Sequence, residues 1–254
     1  MYVACSTLCF ARQSFEEALR GIAELQFTKF EAALHESGPH LRPSQIASDV
    51  HDAAERLRYG PGLAPAAFSV EIEAPDDADY MQQFAAVCRL ARISAVPLLT
   101  LTAAPAHTAV EAEIRRLTRL TALADKEGVQ ATVATRIGTL TEDPDAAVLL
   151  CQRVPGLGLT LDPSHYIAGP NAGKGFDQVF PYVRHVQLRD TGRGANQFQV
   201  RVGQGEVEYG RIVSQLERCS YDRLLSVDIR DTADAPFTMQ PEVRKLKYLL
   251  ESLV

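Results

Sequence analysis

The sequence predicts a single-domain α/β protein, a closed (β/α)8 TIM barrel, on three observations. Eight short β-branched or apolar runs occur within 254 residues, helical patterns alternate with them throughout, and no Pro- or Ser-rich linker divides residues 1–254. A chain of this length with 46% hydrophobic residues buries a core without disulfide or metal staples.

The strand-like runs are 2–8, 27–32, 66–71, 96–102, 129–134, 158–161, 183–188 and 224–229. Helical periodicity covers 15–25, 45–58, 77–93, 109–127, 144–153, 208–219 and 241–252, with a shorter stretch near 176–183. Ser14 with Glu17, and Thr108 with Glu111, read as capping boxes, in which side-chain oxygens meet the orphan amides of a first turn. Pro144 and Pro241 stand where a first turn tolerates a missing N–H, and Gly128 reads as a helix stop. An open dinucleotide-binding sheet is the competing architecture. The first strand-to-helix turn has no GxGxxG, and Gly203-Gln204-Gly205 lacks the third glycine of a phosphate cradle.

Composition narrows the function. With 26 Lys+Arg against 32 Asp+Glu, the net charge is -6, so the basic surplus that nucleic acid demands is missing. The longest apolar run, 95–106, carries Thr and Pro and is too short for a membrane span. The first ten residues have no basic leader, and Glu16, Glu17 and Glu24 follow them, so a cytoplasmic location is expected. Five cysteines without a CxxC (Cys5, Cys9, Cys88, Cys151, Cys219) are expected to be buried free thiols.

A barrel of this kind builds its site at the C-terminal strand ends. The polar residues there are Glu31 and His35, Glu71 and Glu73, Thr135 and Arg136, Asp162 and His165, Gln187, Arg189 and Asp190, and Asp228, Arg230 and Asp231. In Asp162-Pro163-Ser164-His165 an apolar run delivers a carboxylate to the mouth with an imidazole three residues on. That pair can share a metal or divide the work of ligand and general acid/base, or simply cap a turn. Glu71 and Glu73 follow the third run, and Glu71, which lies closer to it, is the one expected to face inward. His35 and His40 flank a Gly-Pro loop of the kind that forms a lid. Arg189, Arg193 and Arg201 form a basic loop able to grip an anion, and Lys174 between two glycines could do the same.

The order of motifs resembles that of the xylose-isomerase-like TIM-barrel superfamily. The matching pieces are Ser14-Phe-Glu-Glu-Ala-Leu, Phe27-Thr-Lys-Phe-Glu31, Gly138-Thr-Leu with Asp143-Pro144, Leu161-Asp-Pro-Ser-His165, His185-Val-Gln-Leu-Arg-Asp190, Gly203-Gln-Gly-Glu-Val-Glu-Tyr209 and Tyr221-Asp-Arg-Leu-Leu-Ser-Val-Asp228. The resemblance implies a sugar or sugar-phosphate isomerase or epimerase that moves a proton beside a carbonyl, or a lyase of the same group. Its implied partner is a carbohydrate-like small molecule, and pairing into a homodimer is also implied. Endonuclease IV, which needs several histidine ligands, fits poorly with six histidines in the chain.

The family's usual metal set is a Glu ending strand 5, an Asp ending strand 6, a His on strand 7 and a Glu ending strand 8. Here Ala134 stands at the first position, Asp162 keeps the second, Gln187 replaces the His, and Asp228 replaces the Glu. Two arrangements stay open. One is an oxygen-ligated Mn or Mg site on Asp162, Gln187 and Asp228. The other is a metal-free barrel in which Arg136 fills the vacated space and neutralises Asp162 or Asp228, or clamps an anionic substrate. The resemblance makes His165 a substrate or catalytic contact and Asp228 a ligand or proton-transfer carboxylate; Glu31, near the end of the second run, is the further candidate catalytic carboxylate, and Arg136, Arg189, Arg193 and Glu71 are expected to face the substrate. A barrel that binds a sugar-like or anionic ligand without turning it over is the alternative, because Ala134 and Gln187 mark an eroded catalytic set.

Overall fold

A computed structural model describes residues 1–254 except Pro61 and Ala195. Among the described residues eight parallel strands follow one another round a closed barrel. They are β1 (Tyr2–Ser6), β2 (Lys29–His35), β3 (Ala64–Glu71), β4 (Leu98–Leu101), β5 (Gln130–Ala134), β6 (Gly158–Leu161), β7 (Val183–Leu188) and β8 (Leu224–Val227). Pairing of β8 with β1, from Tyr2 opposite Leu224 to Cys5 opposite Val227, shuts the ring and removes both sheet edges. The barrel is the predicted one.

Helices ring the barrel: α1 (Phe15–Glu24), α2 (Pro43–Ser48), α3 (Val50–Leu57), α4 (Asp77–Ile93), α5 (Val110–Lys126), α6 (Pro144–Arg153), α7 (Ser164–Ile167), α8 (Tyr209–Arg218) and α9 (Met239–Glu251). The Ser14–Glu17 capping box opens α1 and turns Phe15, Ala18, Leu19 and Ile22 inward. Three helical expectations change. The stretch 45–58 is two helices, because Asp49 is extended and its carboxylate caps the amides of His51 and Asp52. Thr108 does not cap α5: the cap is Ala109, without a side-chain bond, and the buried Glu113 instead reaches back to the amide of Ala104. α9 opens at Met239, so Pro241 lies within its first turn. The stretch near 176–183 is a 3-10 helix, Asp177–Tyr182. Gly128, at φ +72°, ends α5 as expected.

The period of two decides what faces the barrel axis. Leu99, Leu101, Val133, Leu159, Leu161, Val186, Leu188, Leu225 and Val227 join the apolar core. The alternate residues are polar. Thr100, Thr132 and Thr160 bond to one another across β4, β5 and β6, with Oγ1 separations of 2.7–3.3 Å. Continuing the same faces upward gives Ser69–Glu71, Thr132–Ala134–Arg136, Thr160–Asp162, His185–Gln187–Arg189 and Ser226–Asp228–Arg230. These five ladders deliver charge to one end of the barrel. Of the cysteines, Cys5, Cys9, Cys88 and Cys151 are buried and free, whereas Cys219, after α8, is exposed. No helix among the described residues is long and apolar enough to cross a membrane.

Candidate active site at the barrel mouth

The ladders end round a cavity of about 620 Å3, lined by Glu71, Thr102, Ala134, Arg136, His165, Gln187, Arg189 and Arg230 among others. Its floor is an ion cluster. Arg189, 2% exposed, donates through a single nitrogen, Nη2, to Asp162 Oδ2 at 2.5 Å and to Asp228 Oδ2 at 2.8 Å. Arg230 adds an Nε bond to Asp228 Oδ2 at 3.2 Å. Burial pushes the Asp228 carboxyl upward, but the Arg230 and Arg189 guanidiniums override it and hold the group below the usual carboxylate range. Asp162 Oδ1 accepts from the amide of Ser164 at 3.0 Å, just before the short α7, and this fixes the carboxylate.

His165 follows from that turn. Its Nδ1 accepts from the amide of Ile137 at 3.2 Å, so the neutral ring carries its proton on Nε2, 3.5 Å from Asp162 Oδ2. Burial pushes its pKa down to about 4, against the pull of Asp162. The ring is therefore a neutral hydrogen-bond donor near neutral pH. Phe198 covers it at a centroid distance of 4.8 Å and also lies 5.3 Å from the Arg189 guanidinium carbon.

Opposite stands a second charged group. Arg136 pairs with Glu71 and donates to Thr102 Oγ1 at 3.2 Å. Burial raises the Glu71 carboxyl, but His35 and Arg136 together bring it below its ordinary value. His35 closes β2, with Nε2 3.0 Å from Ser69 Oγ and Nδ1 3.8 Å from Glu71 Oε2.

The expected site residues are partly brought together. Asp162, His165, Gln187, Arg189, Asp228, Arg136 and Glu71 converge on the mouth. Glu31 does not open to it: β2 runs to His35, so Glu31 lies low in the strand and fully enclosed, with Oε1 accepting from Gln187 and Oε2 3.0 Å from His185 Nε2. Arg193 faces away, 70% exposed and 3.9 Å from Glu206, beside Lys174 in a separate surface hollow. Glu73 accepts from Ser37 on the surface. Asp190 is buried under its own loop, binding the amides of Gly203 at 2.6 Å and Gly205 at 3.1 Å. Arg230, Thr102 and Phe198 belong to the cavity but were not among the expected substrate residues. Arg230 was signalled by its place two residues beyond Asp228 on the inward face.

The metal set expected on Asp162, Gln187 and Asp228 does not fit these side chains. Both Oδ2 atoms already accept from Arg189, and Ala134 offers only a methyl. The two carboxylates are balanced by Arg189 and Arg230, which leaves no surplus negative charge for a divalent ion. Arg136, the cation expected in that space, is engaged with Glu71 instead; Arg189 fills it.

The sequence profile described as xylose isomerase-like TIM barrel matches residues 19–249. No curated protein matches the chain by sequence. Among solved structures, a xylose isomerase-like TIM barrel protein from Mycobacterium smegmatis in complex with magnesium superposes with a TM-score of 0.77 at 15% identity, over 100% of this chain and 98% of that one. The probable 3-DHS dehydratase AsbF of Bacillus anthracis gives 0.74 at 17% identity, over 97% and 98%. The 3-keto-D-glucoside 4-epimerase YcjR of E. coli gives 0.73 at 12% identity, over 99% of each chain.

Proposed function

The chain belongs to the xylose isomerase-like TIM barrel family, and from that premise we propose that it isomerises or epimerises a small carbohydrate-like substrate at the barrel mouth. The observation that carries this reading is the Glu71–Arg136 pair, which faces the same cavity as Arg189 and Arg230. Proton abstraction beside a carbonyl needs an ionised carboxylate and fixed positive charge for the oxyanion. Glu71 takes the proton, the C–H electron pair moves to the carbonyl oxygen, and the guanidiniums of Arg136 and Arg230 hold the resulting enediolate. Return of the proton to the neighbouring carbon, with the hydroxyl proton of the first carbon passing to the former carbonyl oxygen as the new C=O forms, gives the isomer. Delivery of a solvent proton to the opposite face of the same carbon, with Glu71 releasing its own proton to solvent, gives the epimer, and the neutral His165 Nε2–H serves as a hydrogen-bond donor to a substrate oxygen. Epimerases and a dehydratase among the structural relatives support a hydroxylated carbonyl compound as the substrate class.

A second reading is a barrel that binds such a ligand without turnover. It is favoured by the commitment of Asp162, Asp228 and Glu31 to protein partners. Incubation of ketoses, ketose phosphates, keto-glycosides and hydroxy acids with the protein in D2O and EDTA, followed by NMR, separates the two. Deuterium entering at the carbon next to a carbonyl, and slowed by about 100-fold or more in Glu71→Gln, supports proton transfer. A ligand that raises the melting temperature without exchange supports the binding barrel, and no exchange with no binding overturns both.

A further inference from the structure

We infer that the Arg189 guanidinium is a resident cation, and that Asp162 and Asp228 form a latent divalent-cation site that this side chain keeps closed. The inference deepens the proposed function by assigning the positive charge at the floor of the same cavity, and it rests on that reading only in taking the mouth as the site.

Three observations carry it. A single nitrogen, Arg189 Nη2, lies 2.5 Å from Asp162 Oδ2 and 2.8 Å from Asp228 Oδ2, so one positively charged centre sits between two carboxylates from different strands. The side chain is buried almost completely, which no arginine sustains without full charge compensation. Asp228 also retains unused capacity: its Oδ1 is buried and makes no hydrogen bond within normal distance among the described residues, with the Ser6 hydroxyl nearby.

A guanidinium differs from a metal ion in three ways that matter here. It carries one charge rather than two, it is bound covalently and so cannot be removed by chelation, and it donates hydrogen bonds but accepts no lone pair. The site therefore polarises a substrate oxygen by hydrogen bonding. Its charge is present at every metal concentration.

Removing the side chain leaves two ionised carboxylates facing each other in a buried space, with only Arg230 in partial compensation. That is a demand for a divalent cation. The test is Mn2+ binding, read by electron paramagnetic resonance of the free ion and by melting temperature, with no sugar present, so that its outcome is independent of any activity. Wild-type protein is expected to leave Mn2+ free and to melt at the same temperature in Mn2+ and in EDTA. Arg189→Ala is expected to bind one Mn2+ per chain at least about tenfold more tightly than wild type, and Asp162→Asn in that background to lose it. Arg189→Gln, which fills more of the space, is the second variant should the first fail to fold. Stoichiometric Mn2+ on the wild type, or a folded Arg189 variant that binds no better than wild type, overturns the inference. Should neither variant fold, the wild-type response decides: indifference to Mn2+ and EDTA supports it, and stabilisation by Mn2+ overturns it.

Discussion

Gln187 donates through Nε2 to Glu31 Oε1 across 2.6 Å, and this bond ties the floor of the mouth to a carboxylate enclosed within the barrel. Because a carboxylate only accepts, the contact fixes which way the amide points. The carbonyl oxygen is then the remaining polar atom of a side chain that lines the cavity.

Glu31→Ala removes the partner of both Gln187 and His185 in a fully buried position. The expected loss is about 3–5 kcal/mol, the range for breaking a buried pair, or on the order of 10 °C in melting temperature for a chain of this size. Glu31→Gln retains one acceptor and loses less. Chemical denaturation of the three proteins checks the order, and an Ala variant as stable as wild type would contradict it.

Arg136 and Arg193 are both basic residues of loops beyond strands, yet only one faces the cavity. Arg136→Ala is expected to weaken an anionic ligand by about tenfold, the loss of one charge-assisted bond. With its side chain 39% exposed, the same change should move stability little. Arg193→Ala should leave affinity unchanged, since that guanidinium lies beside Glu206 outside the mouth. Calorimetric titration of one anionic ligand against the two variants separates them.

Much of this arrangement was legible in the sequence. Each strand showed as a β-branched or apolar run, and the alternation that puts Asp162, Gln187 and Asp228 on the axis needs only the period of two. The extent of β2 was not legible, because Ala33 and Leu34 suit a helix as well as a strand, and so Glu31 looked like a strand-end residue. Nor was the role of Arg189. An arginine after a strand reads as a loop residue, and burying it requires carboxylates contributed from β6 and β8, which sequence distance conceals. The available signal was an excess of charge: Asp162 and Asp228 persist where Ala134 and Gln187 carry none, so some cation had to enter. Arg136 was the nearer guess in sequence, but Glu71 captures it first.

Burial holds His35, His40 and His165 below the ordinary imidazole range, His165 at about 4. A histidine with a depressed folded pKa stays neutral in the fold while its unfolded counterpart takes up a proton near pH 6.5. The unfolded state then binds more protons, so stability falls as pH drops below about 6.5 and is flat above it for these groups. The slope contributed by each reaches about 1.4 kcal/mol per pH unit at most. Denaturation midpoints between pH 7.5 and pH 5 test this, with His35→Gln expected to flatten the curve; an identical slope in the variant would remove His35 from the account.

Gly205 owes its place to Asp190. The Gly203-Gln204-Gly205 turn wraps the Asp190 carboxylate, whose Oδ2 takes the amides of both glycines while Oδ1 takes that of Thr191. A Cβ on Gly205 would lie 2.1 Å from Asp190 Oδ1 and 2.5 Å from the Thr191 carbonyl oxygen, closer than any side chain tolerates. Gly203 has the different constraint of φ +83°. Gly205→Ala must therefore expel the carboxylate from its three amides, and it is expected to cost more than about 2 kcal/mol, in the range for an unsatisfied buried acceptor. Because the segment from Asp190 to Val200 also carries Phe198 over His165 and Arg189, the same change should weaken ligand binding at the mouth. Gly210, with open space around it, serves as the control: Gly210→Ala should leave both stability and affinity within error or slightly raise the former, since it lies inside α8. Equal tolerance of Ala at 205 and 210 would show that the loop rearranges freely and that Asp190 does not anchor it.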